Sequence, residues 1–219
     1  MIFKILKEFK YLENFIKYII FYKNLGYKKI EIINPIILMS KSVRTALCVV
    51  PPEFIWEPIQ IIRKVHDKSF NRWMPHINIL FPFIDDSNFD KVIPKLEEIL
   101  SVIPSFDITF DKFDYFDRKG KEQTVWLNPN VVLNNDGSNS LQMVYNEMAE
   151  LFPHLATRDV FIPHLSCGQF RPNDVKNIIN KFNASWVPIT VSINNIALIS
   201  RDLNDNPFTV YKLIKLANI

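Results

Sequence analysis

Two four-residue stretches, Pro75-His76-Ile77-Asn78 and Pro163-His164-Leu165-Ser166, repeat one pattern 88 positions apart: proline, histidine, an aliphatic residue, then a small polar one. Apolar residues follow each copy, Ile79-Leu80-Phe81 in the first and Cys167-Gly168-Gln169-Phe170 in the second, so each reads as the start of a strand. Residues i and i+2 of a strand share a face. His76 therefore points with Asn78, and His164 with Ser166, while Ile77 and Leu165 turn toward a core. A single H-x-S/N triplet carries no weight. Its duplication does, in a chain with only four histidines, the others being His66 and His154. The plain alternative is a pair of half-buried strand histidines with satisfied ring nitrogens. Two imidazoles, each beside a hydrogen-bond donor and facing one another across a cleft, would instead hold a phosphate.

Composition narrows the partners. The 219 residues are 48% hydrophobic and 22% charged, which describes a globular chain able to bury a substantial core. Residues 1–38 carry seven lysines and three glutamates, which leaves 19 basic and 20 acidic residues from Met39 onward. The main body is thus nearly neutral and lacks the basic face that tracks duplex nucleic acid. Residues 1–38 form a basic amphipathic extension whose role stays open between a membrane surface, a partner and no role; residues 39–219 are expected to form one two-lobed domain. Cys48 and Cys167 show no disulfide framework or C-x-x-C spacing, so an intracellular setting, cytoplasmic or nuclear, is expected. No apolar run reaches membrane-span length, and Lys or Glu interrupts any secretory-signal pattern in the first 25 residues.

Hydrophobic periodicity predicts the element order. Arg44–Val50 reads as a buried strand, Glu53–Val65 as a helix, and His76–Phe83 as the first histidine strand. Asp85-Asp86-Ser87 caps a helix from Phe89 to Val102. Strands at Phe106–Phe113 and Thr124–Leu127 form a hairpin. A helix from Asn139 to Phe152, the strand His164–Phe170, a helix from Asn173 to Phe182, and a last hairpin of Pro188–Ile199 with Phe208–Leu216 complete the order. The two halves repeat helix, histidine strand, helix, hairpin, which predicts two pseudo-symmetric lobes around a cleft.

At Met74–Phe83 and Phe161–Phe170 the chain resembles the two-histidine (2H) phosphoesterase superfamily, which includes the 2'-5' RNA ligase-like proteins and the cyclic-nucleotide phosphodiesterases. The resemblance covers about Val43 to Leu216. It implies a bilobal α+β fold with antiparallel sheets lining a central cleft and helices outside. It also implies metal-independent, cofactor-free hydrolysis or transesterification of a phosphodiester next to a ribose hydroxyl. His76 and His164 are then the acid–base pair, and Asn78 and Ser166 the phosphate donors. Asn78 departs from the family's Thr or Ser, although an amide still donates. One imidazole must be neutral and the other protonated, which predicts a bell-shaped pH dependence with limbs within about two units of neutrality.

Arg72, Arg158 and Arg171 flank the motifs and could add charge, although most arginines are simply exposed. Among Phe81, Phe83, Tyr115, Phe116 and Trp126, the residues Phe83 and Trp126 are preferred for stacking a base. The expected partner is an RNA end, an oligonucleotide or a cyclic nucleotide, bound by a monomer. A non-catalytic RNA-end or nucleotide binding module is the alternative. A metal-dependent hydrolase is disfavoured, because the chain has no H-E-x-x-H helix and no His/Asp cluster to complete a ligand set.

Overall fold

The computed structural model describes residues 39–119, 121–156 and 160–218. The readings made for residues 1–38 and for Arg158 lie outside the described residues.

Among the described residues, ten strands and four longer helices alternate. Strands β1 (Lys41–Ser42) and β4 (Phe83–Ile84) form a small antiparallel pair. The other eight are β2 (Thr45–Val49), β3 (Ile77–Leu80), β5 (Phe106–Phe116), β6 (Gln123–Val131), β7 (Leu165–Phe170), β8 (Ile189–Ile193), β9 (Asn195–Ser200) and β10 (Thr209–Lys215). They build one sheet in the order β10-β9-β2-β3-β7-β6-β5-β8, antiparallel throughout. The sheet curls into a half-barrel, giving the α+β architecture expected from the sequence. Its two halves meet at one pair, Ile77 opposite Leu165, between the histidine strands.

The helices are α1 (Trp56–His66), α2 (Phe89–Leu100), α3 (Ser140–Leu151) and α4 (Val175–Ser185). Their caps follow the sequence signals where these were strong. The Asn139 side chain accepts the Gln142 N–H at 3.0 Å and caps α3, whereas the Asp85 side chain, which accepts the Ser87 N–H at 3.2 Å, caps the short 3-10 turn Asp86–Asn88 that leads into α2. Packing is crosswise. Helix α1 precedes the first histidine but lies on β7, and α3 precedes the second histidine but lies on β3.

That crossing makes demands on β7. A Cβ placed on Gly168 would stand 2.6 Å from the His66 Cβ and 2.9 Å from its carbonyl oxygen. The His66 ring covers Phe170 at a centroid distance of 4.7 Å. We expect Gly168→Ala to lower stability by about 1–3 kcal/mol, the scale of overpacking a close contact. A urea titration checks it, and an unchanged midpoint would mean that α1 can slide off β7 at no cost.

The last predicted strand is corrected. Pro188–Ile199 is not one strand of a hairpin. It breaks at Asn194, so that β8 joins β5 at one edge of the sheet while β9 joins β2 in the other half. The residues Asn194-Asn195 at the break are poor strand formers. The first histidine strand is also shorter than expected. It stops at Leu80, and Phe83 enters the small β1–β4 pair instead. Pro82, between them, has no N–H to offer a ladder.

Candidate active site

Both histidine strands carry a bulge at the same point. On β3 the register passes from Asn78 opposite Cys48 to Leu80 opposite Leu47, skipping Ile79. On β7 it passes from Ser166 opposite Trp126 to Gly168 opposite Val125, skipping Cys167. Burial follows the bulges: Ile77, Ile79 and Leu80 are buried, as are Leu165, Cys167 and Gly168, while Asn78 and Ser166 alone in each run stay part-exposed. A bulge turns two successive side chains into the core and ends strict alternation. Asn78 and Ser166 are thus left on the opposite face from the helices.

Antiparallel pairing of Ile77 with Leu165 sets the rest. One step along each strand, His76 comes opposite Ser166 and Asn78 opposite His164. Directly opposite residues share a face, and diagonal neighbours have Cβ atoms about 7–8 Å apart. The fold therefore brings His76, Asn78, His164 and Ser166 together at the junction of the two halves.

The imidazoles are oriented by the same device. His76 Nδ1 lies 2.7 Å from the Met74 carbonyl, and His164 Nδ1 lies 2.8 Å from the Ile162 carbonyl. In each case the acceptor is two residues upstream, across the proline. A carbonyl only accepts, so Nδ1 carries the hydrogen in both rings. The other nitrogen, Nε2, is then the lone-pair site of a neutral ring. At His76 it accepts the Asn78 side-chain N–H at 3.1 Å, and Asn78 Oδ1 is buried without a partner among the described residues.

Aromatic side chains wall the site on both sides. Trp73 stacks on His76, with centroids 4.4 Å apart and planes 19° from parallel. Phe208 lies 3.9 Å beyond Trp73, and Phe81 meets Trp73 edge-on at 5.0 Å. Small residues beneath them, Ala46, Cys48 and Ala197, leave room for this layer. On the other side Phe116 meets His164 edge-on at 4.8 Å and stacks on Trp126 at 5.4 Å.

Burial pushes His76 down to a pKa of about 4. The Met74 carbonyl opposes this shift, Arg63 and His164 add to it, and Asp67 opposes it. His76 is consequently neutral at pH 7. The same cause, burial, lowers His66 and His154. Between the unfolded value near 6.5 and the folded value near 4, the unfolded chain binds the proton that the folded chain refuses. Stability should therefore fall as the pH drops through that window. Thermal melts at pH 7, 6 and 5 check it; His76→Gln should flatten the slope, and a melting temperature independent of pH would contradict the burial argument.

The remaining sequence-based candidates divide. Phe83 is corrected: it is fully buried, with its ring edge-on to Phe152 at 4.9 Å in the core, so it lines no groove. Trp126 reaches the site, 6.1 Å from the His164 ring centroid, but is only 7% exposed. It is a wall rather than an open stacking surface, and half-buried Phe116 is the reachable ring. Arg72 adjoins Trp73, with its guanidinium on Ser69 Oγ at 3.1 Å. Arg171 is exposed past the far end of β7, roughly 20 Å along the strand from His164 at about 3.3 Å per residue, and so stands away from the site. Sequence reading missed Trp73 and Phe208. Trp73 lies three residues before His76, but nothing local separates it from an ordinary core tryptophan, and Phe208 arrives from the other end of the domain.

Among the described residues, no three His, Cys, Asp or Glu side chains cluster as a metal site would require, and no helix is long and apolar enough to cross a membrane. A cavity of about 700 Å³ lies elsewhere, at the β5–β8 edge beside Asp107, Leu133 and Asn134.

An antiparallel half-barrel that brings two H-x-[N/S] strands together at its centre defines the class of a two-histidine fold. The comparisons agree. The family model of the 2'-5' RNA ligase superfamily matches residues 51–205, and the chain belongs to that superfamily. Proteins of Staphylococcus aureus strains JH1 and MW2, whose names assign phosphoesterase activity provisionally, are 24% identical over 173 residues, covering 78% of this chain and 98% of their own length. Among solved structures, TT0787 of Thermus thermophilus matches with a TM-score of 0.52 at 13% identity, over 80% of this chain and 98% of that one. E. coli LigT complexed with NADP+ matches with a TM-score of 0.51 at 18% identity, over 81% and 99%. These likenesses establish the fold.

Proposed function

We propose that this chain is a metal-independent phosphodiesterase acting on RNA ends or small nucleotides, opening a 2',3'-cyclic phosphate or cleaving a 2'-5' linkage. The observation that carries this reading is the matched pair of imidazoles, each with its Nδ1–H on the carbonyl two residues upstream and each at the start of one of the two central strands. His76, neutral at pH 7, takes a proton from the attacking water through Nε2. The water oxygen bonds to phosphorus, the bond to the ribose oxygen opposite it breaks, and His164 gives that oxygen its proton. Ser166 and the second N–H of the Asn78 amide donate to the non-bridging oxygens, where charge grows. Crystal structures of the LigT neighbour complexed with 3'-AMP and with NADP+ support a nucleotide as the ligand class.

With His76 as the base, the acid limb of kcat/KM falls near pH 4 rather than near neutrality. A second reading, a nucleotide-binding module without turnover, has one observation in its favour: the Asn78 amide occupies the Nε2 lone pair that a base needs. One assay separates the two. Purified protein in EDTA is incubated with a 2',3'-cyclic nucleotide, 2'-5' oligoadenylate and 3'-oligouridylate. Hydrolysis of any of them supports the enzyme. Binding without hydrolysis supports the module, and activity that returns only with a divalent ion overturns both.

A further inference from the structure

We infer that the buried ion pair of Arg63 on α1 and Asp67 just after it is a positioning device for the two-histidine site, tying the strands together and acting on His76 with its two opposite charges. Arg63 is 1% exposed, and a guanidinium taken so far from water must be fully paired. It is. Its Nη2 meets Asp67 Oδ2 at 2.8 Å and donates to the Trp73 carbonyl at 2.9 Å, its Nε donates to Asp67 at 3.0 Å, and its Nη1 donates to Gln60 at 2.9 Å. Trp73 is the residue stacked on His76. The guanidinium thus holds the backbone of the ring that supports the first imidazole.

Asp67 extends the tie to the other motif. Its Oδ1 accepts the Ser69 N–H at 2.9 Å and the Gln169 side-chain N–H at 3.4 Å, while Gln169 Oε1 accepts the Lys68 N–H at 3.0 Å. Gln169 stands on β7, three residues after Ser166. One buried pair therefore fastens the loop leading into the first histidine to the strand carrying the second. Among the described residues, the charges of Arg63 and His164 disfavour a proton on His76 and that of Asp67 favours it, and of the pair Arg63 has the larger effect.

The role in turnover rests on the proposed two-histidine chemistry; the electrostatic part does not, and NMR reads it directly. The His76 imidazole is titrated in the full chain, its signal assigned by comparison with H76Q. Asp67→Asn leaves a lone cation and should lower the His76 midpoint. Arg63→Met should raise it, by less if the stranded carboxyl becomes neutral, because Arg63 has the larger influence of the two. Arg63→Lys keeps the charge but cannot span all three acceptors. It should leave the midpoint in place while kcat falls by about 10-fold at nearly constant KM, the signature of a displaced group. If a single variant does not fold, the double variant R63M/D67N, which strands no charge, decides: its midpoint should rise above wild type. Shifts of the same sign in R63M and D67N, or an unmoved or lowered midpoint in the double variant, overturn the inference. Wild-type protein that hydrolyses none of the substrates sinks the functional reading alone and leaves the titrations to decide this one.

Discussion

Replacing either His76 or His164 with alanine should lower turnover by at least about 100-fold, the lower end of what one positioned proton-transfer group contributes. Neither neighbour can substitute. The polar side chains beside the imidazoles, Asn78 and Ser166, do not exchange protons near neutral pH. His66 is packed against Phe170 and Phe182, and His154 Nε2 is engaged by the Met39 carbonyl at 3.0 Å. Binding of a nucleotide should survive better than turnover, since Ser166 and Asn78 would still meet the phosphate. The two variants should differ in their pH profiles. His76→Ala removes the acid limb near pH 4, whereas His164→Ala leaves it. Single-turnover hydrolysis of a 2',3'-cyclic nucleotide from pH 4 to 9 measures both effects. Unchanged rates in either variant would show that the matched imidazoles are structural.

Ser166→Ala and Asn78→Ala should each lower kcat by about 10- to 1000-fold, the scale of losing one donor to a developing charge. The structure gives Asn78 a second effect. Its N–H on His76 Nε2 stabilises the neutral ring, so removing it should also move the acid limb toward neutrality. Ser166→Ala has no such contact to lose and should leave the limb where it is. Asn78→Thr, which restores the residue type usual in the family, should remain active, and its limb should move as that of the alanine variant does. Steady-state kinetics against pH separates the cases. Asn78→Ala with wild-type kcat and an unmoved limb would make the amide a bystander and remove half of the proposed phosphate site.

Much of this site was legible because its information is local. Proline, histidine and an apolar run specify a strand start with the imidazole on a set face, and period-2 alternation puts Asn78 and Ser166 beside it. Helices α1 to α4 follow from apolar spacing and from cap residues such as Asn139. The alternation misled where long-range pairing intervened. Taken straight through the motif, the first strand would have run on to Phe83, yet the chain leaves the main sheet after Leu80 and buries that ring against Phe152.

The sequence by itself therefore determined which residues are polar on the inner face of each histidine strand, and that there are two such strands. Tertiary structure alone decided that these strands pair at Ile77 and Leu165, that α1 and α3 cross to the opposite half, and that β8 and β9 part at Asn194. It alone stacked Trp73 on His76 and set Phe208 and the Arg63–Asp67 pair against Trp73. The physical reason is range. Side-chain direction along a strand or helix follows from backbone geometry a few bonds away. A depressed imidazole pKa, a buried guanidinium and a stacked ring depend on neighbours brought close only when the sheet closes over its core.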